Sequence, residues 1–127
     1  MTALIPVVVA GALGRMGAEV IRAVQGAEDC TLVGAIDNTP GKEGCDVGLE
    51  LGLGELEVAV TADFEGCLCA VSQSVRDAEA GAVLVDFTHP SVVYDHTRAS
   101  IAYGVHPVIG TTAVSYTHLT LPTTPYV

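Results

Sequence analysis

The feature that most limits how this chain can fold lies near its amino terminus, where the apolar run Val7-Val8-Val9-Ala10 passes directly into Gly11-Ala12-Leu13-Gly14-Arg15-Met16-Gly17. Glycines spaced three apart let the backbone turn sharply at the end of a strand and approach an anionic group closely. The first free N–H groups of the following helix then point at that group. The pattern is GxxGxxG, not the commoner GxGxxG, and in a glycine-rich chain three glycines alone carry little weight. The flanks add to it. Residues 4–10 are apolar apart from Pro6 and predict a buried parallel strand with the proline in its first turn. After the glycines, Met16, Val20, Ala23 and Val24 predict the apolar face of a helix, Glu19, Arg22 and Gln25 its wet face, and Gly26 its stop.

A second strand, residues 31–36, is expected to end on Asp37, which lies 20 residues beyond Gly17. A dinucleotide-binding unit places a carboxylate at that point to accept hydrogen bonds from the adenine ribose hydroxyls. An acid there favours NADH, because it repels the 2'-phosphate of NADPH, and the next residue, Asn38, carries no charge. Arg15 and Lys42 are the nearby cations through which NADPH stays open. The bland alternative is a tight strand-to-helix turn followed by a surface aspartate.

Composition bounds the rest. A length of 127 residues allows one domain, with a core but without room for a complete two-domain enzyme. Half the residues are hydrophobic, yet no apolar run reaches the length of a membrane span and no basic-then-apolar leader opens the chain, so the expected setting is the cytoplasm. Fifteen acidic against five basic residues give a net charge of -10, which opposes nonspecific binding to nucleic acid or to an anionic membrane. Phosphate recognition must therefore be local. Cys30, Cys45, Cys67 and Cys69 lack the C-x-x-C spacing of a metal site and are expected as buried thiols. The dispersed His89, His96, His106 and His118 have no evident nucleophile partner and read as structural or surface residues.

Residues 39–54 hold five glycines and a proline and predict a long irregular loop near the adenine end of a bound dinucleotide. A strand near residues 57–60 and a helix over residues 63–72, capped by Asp63, are expected next. A strand over residues 82–87 runs into Thr88-His89-Pro90, after which Ser91 opens a helix carrying Val92, Val93, Ala99, Ile101 and Ala102 that Gly104 ends. A last strand, residues 107–109, runs into Gly110-Thr111-Thr112. This alternation predicts an α/β fold with a doubly wound parallel sheet. Asp86-Phe87-Thr88 and Gly110-Thr111-Thr112 are then expected to converge on one crevice at the carboxyl ends of the strands.

Three separated motifs carry a resemblance: Val9-Ala10-Gly11-Ala12-Leu13-Gly14-Arg15-Met16-Gly17, Val85-Asp86-Phe87-Thr88-His89-Pro90 and Val108-Ile109-Gly110-Thr111-Thr112, with the strand Thr31-Leu32-Val33-Gly34-Ala35-Ile36-Asp37 between the first two. In order and spacing the chain resembles the amino-terminal domain of the 4-hydroxy-tetrahydrodipicolinate reductases, long called dihydrodipicolinate reductases, of lysine and diaminopimelate biosynthesis. The resemblance implies an incomplete Rossmann-like domain over residues 1–113. It also implies hydride transfer from NADH or NADPH to a cyclic dicarboxylated imine or its hydrated precursor. It places the phosphates at Gly11, Ala12, Leu13, Gly14, Arg15, Met16 and Gly17, the adenine ribose at Asp37, and the nicotinamide near Phe87, Thr88, Gly110, Thr111 and Thr112. In the family the proton donor and substrate clamps come from a second domain with a His-His-x-x-Lys motif, and the whole enzyme is expected as a homotetramer. No His-His pair occurs here, and His118 lacks the neighbouring histidine and lysine, so no catalytic residue is assigned. Two other readings stand beside this one: a non-catalytic NAD(H)-binding sensor module, and another dehydrogenase on the same fold.

The tail departs from the family. Residues 114–127 contain no charged residue and no glycine, and the string from Val114 to Pro122 reads like the translation of a sequencing adaptor joined to a truncated gene. It is expected to carry no evolved function.

Overall fold

A computed structural model of the chain describes residues 4–74 and 81–110. Along the chain run β1 (Ile5–Ala10), α1 (Arg15–Gly26), β2 (Cys30–Ile36), α2 (Val47–Glu50), β3 (Val60–Thr61), α3 (Phe64–Ser74), β4 (Val83–Asp86), α4 (Pro90–Ala102) and β5 (His106–Ile109). The strands form one sheet in the order β3-β2-β1-β4-β5, and every pair is parallel. The order reverses beside β1, so its carboxyl end opens where ligands of doubly wound sheets bind.

The apolar run of β1 follows from its central place. Val7 and Val9 enter a core with Ile21 and Val24 of α1 and with Val47, while Val8 and Ala10 enter a second core with Leu68 and Val71 of α3 and with Val105. Successive side chains of a strand point to opposite faces, so a strand covered on both sides must be apolar at every position. Val8, Val9, Ile21, Leu68 and Leu84 are wholly buried, each such side chain contributing about 1.5–3 kcal/mol over an exposed one. In β2, Gly34 makes room for α3, since a Cβ there would stand 2.9 Å from the Sγ of Cys67. Burial pushes that thiol up to about 11, so it stays protonated at neutral pH.

The buried face of α1 differs from the expected one. It consists of Gly17, Ala18, Ile21 and Val24, whereas Met16 is 55% exposed, Ala23 is exposed and Val20 is only half-buried. The cause is local: a Cβ on Gly17 would collide with the carbonyl oxygen of Gly11, so this is the side on which the helix can lie against the turn. That approach sets the rotation of the helix and turns Met16 outwards.

Helix α4 begins one residue earlier than expected, with Pro90 in its first turn and His89 as its cap, the Nδ1 of His89 accepting from Ser91 N–H at 3.0 Å. At its other end Gly104 has φ 75°, Val105 N–H donates to the Ser100 carbonyl at 2.8 Å and Gly104 N–H to that of Ile101 at 3.0 Å. This pair of bonds satisfies the last carbonyls of the helix. For α3, the carboxylate of Asp63 accepts from Gly66 N–H at 3.1 Å, as the sequence indicated.

Residues 39–54 are less irregular than expected. Asp46 caps α2 by accepting from Leu49 N–H at 3.1 Å, and the same carboxylate accepts from Leu56 N–H at 2.9 Å and Val58 N–H at 3.0 Å. One side chain thus ties α2 to the segment that enters β3, which is only two residues long rather than the four expected. The bond from Leu56 N–H, the largest cause, lowers the Asp46 pKa below its ordinary 3.8, against the smaller opposing effect of burial. A carboxylate with a depressed folded-state pKa stabilises the fold above its unfolded value, and that contribution is lost as pH falls through the folded value. Asp46→Asn, whose amide cannot accept all three donors, should therefore lower Tm at neutral pH and flatten its decline below about pH 4. Parallel Tm-against-pH curves for the two proteins would remove this role from Asp46.

Candidate functional site

The site is built where β1, β2 and β4 end. Gly11 leaves β1 with φ 81°, and its N–H and that of Ala12 both donate to the Ile36 carbonyl at the end of β2, at 2.8 and 3.1 Å. Phe87 N–H donates to the Ala10 carbonyl at 3.0 Å, and Gly110 N–H to the Asp86 carbonyl at 2.8 Å. A Cβ on Gly11 would lie 3.1 Å from the Phe87 carbonyl, and one on Gly110 would collide with the Phe87 ring. The Asp-Phe-Thr segment and the start of the Gly-Thr-Thr segment therefore converge, as expected. Thr111, Thr112 and residues 114–127 lie outside the described residues.

The three glycines of the turn have different reasons to be glycine. Gly11 needs its positive φ, and Gly17 needs to lie against the Gly11 carbonyl. Gly14 needs neither: its φ of -78° and ψ of 172° suit any residue, and a Cβ there would meet only the Gly11 carbonyl oxygen, at an ordinary 3.4 Å. Gly14 is also the N-cap of α1, with no side chain capping the helix and no acidic residue in its first turn. Its N–H is held by the Gly11 carbonyl at 3.1 Å. What remains is an exposed helix start, with Arg15 and Met16 outward and backbone donors unsatisfied by any cap, the arrangement that suits an anion. The Ala12 side chain is buried in the core, and the half-buried Leu13 packs against it.

Asp37 sits at the rim of the same turn. Its Oδ2 accepts from Leu13 N–H at 2.9 Å, and its Oδ1 accepts from Thr39 N–H at 2.9 Å and from the Thr39 hydroxyl at 2.5 Å. The carboxylate thus anchors the glycine turn and keeps acceptor capacity on Oδ2, since each oxygen accepts about two bonds. Lys42 is turned elsewhere: its ammonium lies 2.7 Å from Glu50, whose hydrogen bond raises the Lys42 pKa.

Between Asp37 and α4 lies a cavity of about 290 Å³, lined by Gly11, Ile36, Asp37, Asn38, Ala62, Phe64, Thr88, His89, Val92 and His96. Of these, Gly11, Asp37 and Thr88 are expected site residues; Ile36, Asn38, Ala62, Phe64, His89, Val92 and His96 are not. Asp86 is wholly buried beneath it, its Oδ1 accepting from Thr88 N–H at 3.0 Å and from the Thr88 hydroxyl at 2.5 Å, its Oδ2 3.1 Å from His96 Nδ1. The His96 ring stacks on Phe64 with centroids 3.8 Å apart and planes at 9°. The signal for this wall was present in the sequence. His89, Val92 and His96 recur at intervals of three and four, one face of a helix that starts at the end of β4. No helix among the described residues is long and apolar enough to cross a membrane.

Comparison with known proteins agrees with this geometry. Residues 5–121 match the family described as dihydrodipicolinate reductase, N-terminus. The chain is 90% identical over 115 residues to the 4-hydroxy-tetrahydrodipicolinate reductase of Synechococcus sp. (strain CC9605), covering 91% of this chain and 42% of that protein. Among solved structures, a dipicolinate-bound dihydrodipicolinate reductase from Paenisporosarcina sp. TG-14 superposes with a TM-score of 0.60 at 26% identity, over 91% of this chain and 41% of that one. An amine dehydrogenase from Mycobacterium smegmatis superposes with a TM-score of 0.63 at 29% identity, over 83% of this chain and 29% of that one. The chain spans about two-fifths of the length of the curated relatives it matches. It belongs to the dihydrodipicolinate reductase family, of which it carries the amino-terminal, Rossmann-like domain.

Proposed function

We propose that the chain is the NAD(P)H-binding part of a reductase that converts 4-hydroxy-tetrahydrodipicolinate to tetrahydrodipicolinate in lysine and diaminopimelate biosynthesis. The observation that carries the binding role is Gly14: the fold does not require a glycine there, whereas a pyrophosphate resting on the uncapped start of α1 does. In this reading the backbone from Gly11 to Gly17 holds the pyrophosphate, with Arg15 and Met16 beside it. Oδ2 of Asp37 accepts from a ribose hydroxyl. Phe87, Thr88 and the Gly110-Thr111-Thr112 segment lie towards the nicotinamide. The bound nicotinamide supplies the hydride; the chain's role is to orient the ring and keep water from it. The half-buried Asp37 carboxylate at the rim of the turn, with Lys42 held by Glu50, favours NADH over NADPH.

The reaction itself is carried over from the 90% identity to curated reductases. To this reading belong a cyclic dicarboxylate substrate, a homotetrameric whole enzyme in the cytoplasm, and no nucleic-acid or membrane partner. The proton donor is assigned to a second domain, and residues 1–113 are read as the folding unit, with residues 114–127 outside it.

Two variants test the binding role. Gly14→Val should weaken NADH and NADPH alike by at least about a hundredfold, since its side chain occupies the pyrophosphate position, while circular dichroism and Tm stay near those of the parent. Normal binding by this variant would make the glycine turn purely structural. Asp37→Ala removes a charge-assisted ribose bond worth about 1.5–3 kcal/mol, together with a repulsion against a 2'-phosphate. Losing the anchor of Leu13 N–H weakens both cofactors, so the ratio is decisive. NADH should lose roughly tenfold more affinity than NADPH in calorimetric titrations. Equal losses would place the ribose elsewhere.

A further inference from the structure

We propose that Glu50 is a specificity-determining residue for the dinucleotide: by holding the ammonium of Lys42 it withholds the cation that the 2'-phosphate of NADPH needs beside Asp37. The inference rests on the dinucleotide reading above. It names a residue that lies outside both the glycine turn and the cavity.

The backbone brings Lys42 to the ribose end of the site. Thr39-Pro40-Gly41-Lys42 has the Pro-Gly centre of a type II turn, with Gly41 at φ 82° and Lys42 N–H donating to the Thr39 carbonyl at 3.4 Å. Such a turn keeps its first and last Cα atoms within about 7 Å of one another. Thr39 is in turn bonded twice to Oδ1 of Asp37, through its N–H at 2.9 Å and its hydroxyl at 2.5 Å. Asp37 therefore fixes where the Lys42 stem leaves the chain.

The stem carries its charge to Glu50. The ammonium lies 2.7 Å from Oε1 of that residue, and among the described residues it makes no ion pair with Asp37. Glu50 closes α2, and its own N–H donates to the Asp46 carbonyl at 3.1 Å, so the acceptor sits on the same ordered segment that Asp46 ties to β3. The two side chains are 39% and 25% exposed. A pair as wet as this adds little to stability, so its consequence lies in where the charge is placed.

That placement matters because cations are scarce here. Lys42 is the single lysine of the chain. Of the other described cations, Arg22 pairs with Glu19 at 2.9 Å, Arg98 lies over the Tyr94 ring on α4, and Arg15 stands at the start of α1. The remaining charge on the stretch after β2 is negative: Asp37, and Glu43, whose Oε1 accepts from Ala62 N–H at 2.8 Å on the cavity wall. A phosphomonoester carries about -1.5 to -2 charges at neutral pH and meets like charge there, whereas a ribose hydroxyl carries none. NADPH gains Lys42 only by drawing it from Glu50. NADH asks nothing of it.

Calorimetric titration of the chain with NADPH and NADH tests this. Glu50→Ala should bind NADPH about fivefold more tightly than the parent, the upper end for an exposed pair, with NADH affinity and Tm unchanged. In a Lys42→Met background the same substitution should give no gain, because the cation it releases is gone. Glu28→Ala removes an equal charge ahead of β2, at the opposite end of the sheet, and should leave the ratio of the two affinities as it is. An unchanged ratio in Glu50→Ala overturns the role of Glu50. So does a gain that NADH shares, that survives Lys42→Met, or that Glu28→Ala reproduces. Failure of the parent chain to bind either dinucleotide overturns the cofactor reading itself, and this role with it.

Discussion

Helix α1 reaches the end of β1 because Gly17 puts no atom between the helix and the Gly11 carbonyl. That contact sets the rotation of α1, sends Ile21 and Val24 into the core shared with Val7 and Val9, and leaves Arg15 and Met16 facing outwards. It also brings the uncapped helix start to the carboxyl edge of the sheet, above the point where the strand order reverses. A turn that is tight on its protein side and open on its outer side is what backbone recognition of phosphate requires in a chain of net charge -10.

The turn is not held by glycine alone. Asp37 at the end of β2 accepts from Leu13 N–H, the Ile36 carbonyl accepts from the N–H groups of Gly11 and Ala12, and Phe87 N–H, just beyond β4, donates to the Ala10 carbonyl. Three strand ends thus fix one loop, which spares a ligand the entropic cost of ordering it. Asp37 anchors the turn through Oδ2, and the proposed function gives the remaining acceptor capacity of that oxygen to the ribose. Asp86 has the matching role at the end of β4, tying Thr88 to His96 beneath the cavity.

Most of the sheet was legible because each buried strand writes its environment in sequence. The run Val7-Val8-Val9 is apolar at consecutive positions because both faces are covered, and Asp37, Thr88 and Gly110 follow strands as turn or ligand residues do. The face of α1 is not legible from its apolar spacing, which includes Val24 but not Gly17, Ala18 and Ile21. A glycine contact outweighed Met16 and Ala23, and a hydrophobicity pattern does not register a position whose value lies in having no side chain. Residues 39–54 looked irregular because one carboxylate, Asp46, supplies the order there by bonding N–H groups as distant as Val58. The cavity wall was missed for a similar reason. His96 gains its meaning from Asp86 and Phe64, which only the fold brings to it, although the spacing of His89, Val92 and His96 marked a common face.

The central claim is that backbone N–H groups at the start of α1 receive the dinucleotide phosphates. Amide proton and nitrogen NMR spectra of the chain titrated with NADH test it most directly. The account predicts that the amides of Arg15, Met16 and Gly17 shift most and saturate together, with that of Asn38 following at the adenine end, while those of Ile21 and Val24 stay in place. Saturable NADH binding that leaves Arg15, Met16 and Gly17 unshifted would contradict it.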